Sequence, residues 1–280
     1  GKNLEIETRN FENILFNNNN GINNLMTIKG DGNIGIGVVN PLQKLQVKGS
    51  ETIGLWGLSR AGWICPLINE LYPFDFWISV SGTNDKENFG YLLKSNLIIA
   101  GKDSTEANRL HQSWMNWHKI VATGGSYEES ITAMQPMYND TLSSKLFGYK
   151  KVDSITEEGR LKYQQQQKSY ISKGRFDTTS GLWVYIENFD QILSKIKAPV
   201  LAIFGEKDSQ VDWRATKTLY EQVYQENRNL TVKTFPNGNH ILQKSKTGAW
   251  REDLSASKWA FCEGYFETME NWLRKQQFID

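Results

Sequence analysis

Ser59 stands in Gly57-Leu58-Ser59-Arg60-Ala61-Gly62, between an apolar segment that begins at Ile53 and another that runs on to Ile68. A serine hydroxyl is a poor nucleophile until a base takes its proton. A sharp turn from strand to helix lifts such a hydroxyl clear of a sheet, where a base and a substrate can both reach it. The turn strains the serine backbone and leaves little room for side chains two residues to either side. Gly57 and Ala61 are the small residues at those two positions. Gly62 then allows the following helix to lie close on its strand. A helix start offers unpaired N–H groups and the positive end of a dipole to a developing oxyanion, and the first such donor is the Arg60 backbone N–H.

Strings of small residues recur by chance, so the weight rests on two residues downstream. Asp208 follows an apolar run in APVLAIFGEKDSQVDW, and His240 follows the next such run in LTVKTFPNGNHIL. Serine, then aspartate, then histidine is the chain order of enzymes built on this kind of turn. Asp208 comes 149 residues after Ser59, which leaves space for an inserted segment, and His240 comes 32 residues after Asp208. Asp212 lies in the same loop and competes with Asp208; the latter is preferred because it sits nearer the end of the apolar run. Against the chemical reading of Ser59 stands a serine that merely serves a tight turn. His111 and His118, seven residues apart on one helix face, read as satisfied core or surface histidines. Neither a metal-ligand spacing of Cys, His and carboxylates nor a glycine-rich phosphate loop after a strand is present, so no cofactor is expected.

The elements that must position these residues follow from hydrophobic patterning. From residue 52 onward the pattern is α/β, with apolar strand candidates at 53–56, 74–80, 200–204 and 230–235. Continuous apolar runs suit strands covered on both faces, as in a parallel sheet, and right-handed crossovers between them give a doubly wound arrangement. Helices are expected at 63–71, 213–226 and 257–276, the last with a core-facing stripe of Trp259, Cys262, Phe266, Met269 and Leu273. Some 115 residues with helical periodicity separate the second and third strands, too many for a crossover loop, and predict a helical cap over about 82–197. Gln164 to Gln167 reads as a solvated helix face.

Residues 1–50 have another character. They are rich in asparagine and glycine, with short alternating segments at 4–7, 25–28, 34–36 and 45–47 that predict a β-meander with tight turns. Strands so poor in apolar residues do not make an independent core. The phrase DGNIGIGVVNPLQKLQVKGS, residues 31–50, resembles the glycine-punctuated repeat of phage tail-fibre and related surface-fibre proteins. That resemblance implies trimerisation or attachment.

Composition narrows the classes further. A net charge of +1 over 280 residues argues against a nucleic-acid binder, which needs a basic face. No apolar run approaches the ~20 residues that cross a membrane. Cys65 and Cys262, in apolar and aromatic surroundings, are expected as buried free thiols.

With the turn Gly-Leu-Trp-Gly-x-Ser and its two partners in view, residues 52–280 resemble the α/β-hydrolase superfamily, in its dienelactone hydrolase and serine aminopeptidase-like branch. The resemblance implies Ser59 as nucleophile, His240 as general base and then acid, and Asp208 as orienter of the imidazole, with acyl transfer from a small-molecule ester to water through an acyl-enzyme. It also exposes departures. Only 58 residues precede Ser59, none of them histidine, whereas the family carries several strands and an oxyanion loop there. Losing one oxyanion donor costs about 3–4 kcal/mol, or ~100- to 1,000-fold in rate. A backbone N–H near 30–37 or one from a neighbouring subunit is the expected substitute. The strand at 53–56 becomes an exposed sheet edge, which invites association, so a homo-oligomer, dimer or trimer, is expected. The sequence therefore predicts a serine carboxylesterase-like hydrolase on a partial α/β-hydrolase sheet with a helical cap and a β-rich N-terminal segment. A thioesterase or peptidase on the same residues is not separable by pattern. The alternative is a fibre-associated or interaction protein with a weak or inactive hydrolase remnant.

Overall fold

The computed structural model describes residues 14–17, 24–30, 33–36, 45–47, 52–86, 88–152, 154–225, 229–250, 252 and 260–280. The strand expected at 4–7, most of the fibre-like phrase, and the opening of the helix expected at 257 lie outside the described residues. The chain divides into two compact units, Gly1–Ile53 and Gly54–Asp280.

In the first unit β1 (Ile14–Asn17), β2 (Asn24–Ile28), β3 (Ile34–Ile36) and β4 (Leu45–Val47) form one sheet in that order. The pairs β1–β2 and β2–β3 are antiparallel, as a meander requires. The pair β3–β4 is parallel, so the meander stops at β3: a tight turn cannot join parallel neighbours. A strand at Ile14–Asn17 was not anticipated by the alternation pattern.

The second unit begins with β5 (Gly54–Leu58), α1 (Ala61–Leu71) and β6 (Phe76–Val80). An insertion of α2 (Phe89–Ile99), α3 (Ser104–Ala122), α4 (Tyr127–Asn139), α5 (Thr141–Phe147), α6 (Glu157–Ile171), β7 (Arg175–Asp177), β8 (Leu182–Val184) and α7 (Phe189–Ser194) follows. The chain then returns to β9 (Val200–Gly205), α8 (Trp213–Tyr224), β10 (Leu230–Phe235) and α9 (Tyr265–Lys275). Strands β10, β9, β6 and β5 lie side by side in that order, all parallel. This is the mixed α/β class expected, with a four-stranded parallel sheet.

Burial explains why these strands read as unbroken apolar runs. Every residue of β9 is buried. Val200, Ala202 and Phe204 face one core with Trp77, Trp213 and Tyr220, while Leu201 and Ile203 face another with Ile78, Val80, Phe235 and Trp272. The period of two thus divides one strand between two cores. By contrast β5 is one of the sheet's two edges among the described residues, and its Trp56 is 55% exposed. A third core, built from Leu93, Leu97, Leu110, Trp114, Met134 and Met137, holds the inserted helices together.

Local signals set the helix starts. Asp103 accepts the Thr105 and Glu106 N–H groups, Ser126 and Glu129 form a capping box, and Asp140 and Thr156 cap α5 and α6. The β7–β8 hairpin interrupts the helical periodicity expected across the insertion. Its turn carries a real signal, an Asp177 carboxylate accepting from the Thr179 and Ser180 N–H groups before Gly181 at φ +69°. The final helix also departs from expectation. It starts at Tyr265, so Cys262 is buried ahead of it, and its core face carries Tyr265 and Trp272 while Phe266 is 55% exposed. Gln164 to Gln166 are solvated as expected, but Gln167 Nε2 donates to the carbonyls of Val121 and Gly125 at 3.2 and 3.1 Å. Cys65 and Cys262 are buried free thiols, and burial pushes Cys65 up to about 11. None of the described helices is long and apolar enough to cross a membrane.

Candidate active site

Ser59 occupies a left-handed backbone conformation, φ +57°, between the end of β5 and the start of α1. A non-glycine residue there carries roughly 1–3 kcal/mol of strain, which persists only when its surroundings fix it. They do so through the main chain. The Ser59 N–H donates to Val80 O at 2.9 Å, and the Ser59 carbonyl accepts from Gly62 N–H at 2.8 Å, Thr83 N–H at 3.0 Å and Thr83 Oγ1 at 3.2 Å. The small residues meet the need foreseen for them. A Cβ on Gly57 would run into the Ala61 methyl, and one on Gly62 would lie 2.6 Å from the backbone N and O of Thr83. Arg60 adopts helical angles and accepts at its carbonyl from the Trp63 and Ile64 N–H groups. Among the described residues its own N–H has no backbone acceptor, as befits the first turn of a helix.

Asp208 lies in the loop directly beyond β9. Its Oδ1 accepts the Gln210 and Val211 N–H groups at 2.8 and 3.0 Å, and its Oδ2 lies 2.8 Å from His240 Nδ1. The carboxylate is fully buried. A carboxylate only accepts, so this contact calls for a proton on Nδ1, and in the neutral ring that leaves the Nε2 lone pair for another donor. The competing Asp212 does something else: it caps α8, accepting the Ala215 N–H at 3.1 Å. His240 is carried by a tightly bonded loop after β10. The Asn239 side chain accepts the Ile241 and Gln243 N–H groups, and Gly238 O accepts the Lys207 N–H at 2.9 Å, which ties the histidine loop to the aspartate loop.

Ser59 and His240 line one cleft of about 690 Å³. Among the described residues no hydrogen bond joins the Ser59 hydroxyl to the ring, so the structure brings Asp208 onto His240 and places Ser59 in the same cleft without closing that last contact. Trp63 and Tyr185, stacked at 5.4 Å, share the lining with Phe89, Leu92, Ile186 and Val211, and its charged members are Arg60, Lys86 and Lys173. No described group of three His, Cys, Asp or Glu residues could hold a metal ion.

The other two histidines lie on α3. His118 is buried against Trp114, with ring centroids 3.8 Å apart, and its Nε2 is 3.1 Å from Tyr170 Oη. Its Nδ1 is buried without a hydrogen-bond partner, so it is a core histidine but not a fully satisfied one. Burial, with His111 adding a smaller push, brings its pKa down to about 3. His111 is lowered as well, by burial and then by Lys94. Sequence reasoning did not single out Thr83, which clamps the Ser59 carbonyl, or Tyr170 and Tyr185, which line the cleft. Each acts across 24 or more residues of chain, and no local motif marks such a contact.

Residues 185–276, the stretch that carries both Asp208 and His240, match the dienelactone hydrolase family. No curated protein matches the chain. Among solved structures, the chain is similar to an acylaminoacyl peptidase from Pyrococcus horikoshii at 13% identity and TM-score 0.35, covering 82% of this chain and 25% of that one. An esterase from a Rhodococcus species is similar at 18% identity and TM-score 0.28, over 65% of this chain and 56% of that one. A serine hydrolase from Cycloclasticus zankles is similar at 16% identity and TM-score 0.34, over 83% and 67%. The chain thus spans a quarter of the first of these proteins and little more than half of the second. The family match takes in Asp208 and His240 and does not reach Ser59.

Proposed function

We propose that the protein is a serine hydrolase of small carboxylic esters. Ser59 is its nucleophile, His240 its general base and then acid, and Asp208 the residue that fixes the imidazole. The observation that carries this reading is the 2.8 Å contact between His240 Nδ1 and a fully buried Asp208 carboxylate, on the wall of the cleft that Ser59 lines. The proton on Nδ1 is committed to Asp208, so Nε2 takes the Ser59 proton as Oγ bonds to the ester carbon. The carbonyl electrons move onto oxygen, where the Arg60 N–H and the start of α1 oppose the new charge. The alkoxide leaves with the proton from Nε2, and a water repeats the sequence to release the acid. Rotation of the Ser59 side chain closes its hydrogen bond to Nε2 once substrate is seated, a tightening common between free and occupied sites. The inserted helices act as a cap, with Phe89, Leu92 and Ile186 against the acyl chain.

The first unit belongs to this reading as an attachment or trimerisation segment, and the exposed β5 edge supports association. Light scattering coupled to size exclusion tests that part, and a monomeric mass in dilute solution removes it. The enzymatic part is tested by labelling with a fluorophosphonate and locating the adduct by mass spectrometry. The adduct is expected on the peptide that contains Ser59. Labelling elsewhere, or none with intact protein, leaves a folded hydrolase remnant and favours the interaction protein.

A further inference from the structure

Helix α2 has two jobs. Phe89 and Leu92 line the cleft. Its Tyr91 and Asn96 reach the loop that carries Asp208. Tyr91 Oη donates to the Asp208 backbone carbonyl at 3.2 Å. The Asn96 amide, 5% exposed, donates from Nδ2 to Ser209 O at 3.3 Å, to Ser209 Oγ at 3.2 Å and to Leu92 O at 2.9 Å. Its Oδ1 accepts the Trp250 N–H at 2.8 Å, and Ser209 Oγ donates onward to Gly248 O at 2.6 Å. One buried amide therefore joins the insertion, the aspartate loop and the segment at 245–250.

Buried amides are costly to leave unpaired, and this one has its donors and its acceptor engaged. Its position makes the bonds more than local glue. The Ser209 carbonyl it grips belongs to the peptide whose other end, the Gln210 N–H, donates to Asp208 Oδ1 together with the Val211 N–H, so the carboxylate is tied to that stretch of the loop. We infer that Asn96, with Tyr91, is a positioning residue for the proposed reaction: it holds the 205–212 loop so that the Asp208 carboxylate stays on His240 Nδ1. The same helix presents Phe89 and Leu92 to the acyl group, so what fills the cleft and what aligns the imidazole share one rigid element. This inference rests on the hydrolase reading above, and its test includes a signal that does not require turnover.

The variant Asn96→Asp keeps the shape, removes both Nδ2 donors and leaves Phe89 and Leu92 untouched. The charged groups beside Tyr91, namely Asp212, Asp208 and Arg214, stay in place, and the carboxylate at 96 is the one charge added. Expected, per active site titrated with a fluorophosphonate, is a fall in kcat of about tenfold to a hundredfold with KM nearly constant. The base limb of the kcat/KM profile, the acid-side limb on which His240 must lose its proton, moves to lower pH, because an imidazolium that loses its carboxylate is less stable. Proton NMR of the wild type should show a far-downfield His240 Nδ1–H resonance, lost or broadened in the variant. A purely structural role would lower the titratable fraction and leave kcat per site, the base limb and the resonance in place, and that result overturns the inference. If Asn96→Asp does not fold, Tyr91→Phe decides: a weakened resonance supports the inference, and an unchanged resonance and base limb overturn it. If the wild type shows the resonance but no Ser59-dependent turnover, the hydrolase reading fails while loss of the resonance in Asn96→Asp still supports the positioning role.

Discussion

His240 at the end of the sheet and His118 in the inserted helices are both buried, yet they are buried differently. His240 is held at Nδ1 by a carboxylate that is itself saturated with backbone donors, and the ring borders an open cleft. His118 is enclosed by Trp114, Trp117 and Tyr170, with one ring nitrogen on a phenol and the other on nothing. Burial alone silences an imidazole, since removing water penalises its charged form. A fixed carboxylate on one nitrogen and access at the other are what allow it to carry a proton. The two regions differ in the same way in their backbones. The sheet-end loops are clamped by main-chain bonds around Ser59, Asp208 and His240, whereas the insertion is held by side-chain packing of helices on one another.

The comparison breaks most violently at the sheet end. Ser59→Ala should abolish turnover of p-nitrophenyl butyrate, and Asp208→Asn should cut kcat by ~10⁴-fold by turning the imidazole to the wrong tautomer. His118→Phe should leave kcat within a fewfold of wild type, because no step uses it. Equal losses in His118→Phe and Asp208→Asn would erase the distinction between the two regions. Backbone crowding comes next. Gly62→Ala places a methyl 2.6 Å from the main chain of Thr83, which cannot yield without releasing the Ser59 carbonyl. Overpacking of this kind costs about 1–3 kcal/mol. A melting temperature several degrees lower together with a lower kcat is expected, and a fully active, undiminished Gly62→Ala would show that the close approach of α1 is dispensable.

How much of this could be read in advance follows the same division. The small residues at 57, 61 and 62 are legible because the turn constrains residues adjacent in sequence. That Ser59, Asp208 and His240 each follow the end of a strand is legible because strand ends recur after apolar runs. Thr83, Tyr91 and Asn96 are not: Thr83 meets Ser59 only once β5 and β6 pair, and Tyr91 and Asn96 reach their partners only when the insertion folds back over the loops. The last helix shows the limit of periodicity. Phe266 fits a stripe of threes and fours, but the cap at Gly264 starts the helix later and turns Tyr265 and Trp272 inward instead. The parallel pairing of β3 with β4 is likewise invisible to alternation, which reports faces and not strand direction.

His118 gives the comparison a pH dependence. Its pKa in the folded protein is about 3, against an ordinary 6.5, and burial is the main cause. The unfolded chain therefore binds more protons than the folded one between those values, and stability falls as pH drops through that window. The slope from this one group reaches about 1.4 kcal/mol per pH unit. Above pH 6.5 its contribution is complete and flat. Urea unfolding at pH 7 and pH 5 should show a loss of stability in the wild type that is smaller in His118→Phe by roughly 1–2 kcal/mol. An identical loss in both proteins would mean that His118 does not drive the acid sensitivity.

The smallest expected effect bears on the most specific assignment. Asp208 and Asp212 share a loop, and sequence alone leaves either able to face the histidine. In the structure one meets His240 Nδ1 and the other accepts the Ala215 N–H at the start of α8. A helix cap contributes about 1 kcal/mol, so Asp212→Ala should lower stability by that amount and leave kcat and its pH profile intact. The contrast with Asp208→Asn, silent in melting terms beside its catalytic loss, separates a carboxylate that holds a helix from one that holds an imidazole. Should Asp212→Ala instead lose turnover on the scale of Asp208→Asn, the carboxylate that serves the imidazole in solution would be Asp212, and the 2.8 Å contact would describe a resting arrangement that the working enzyme abandons.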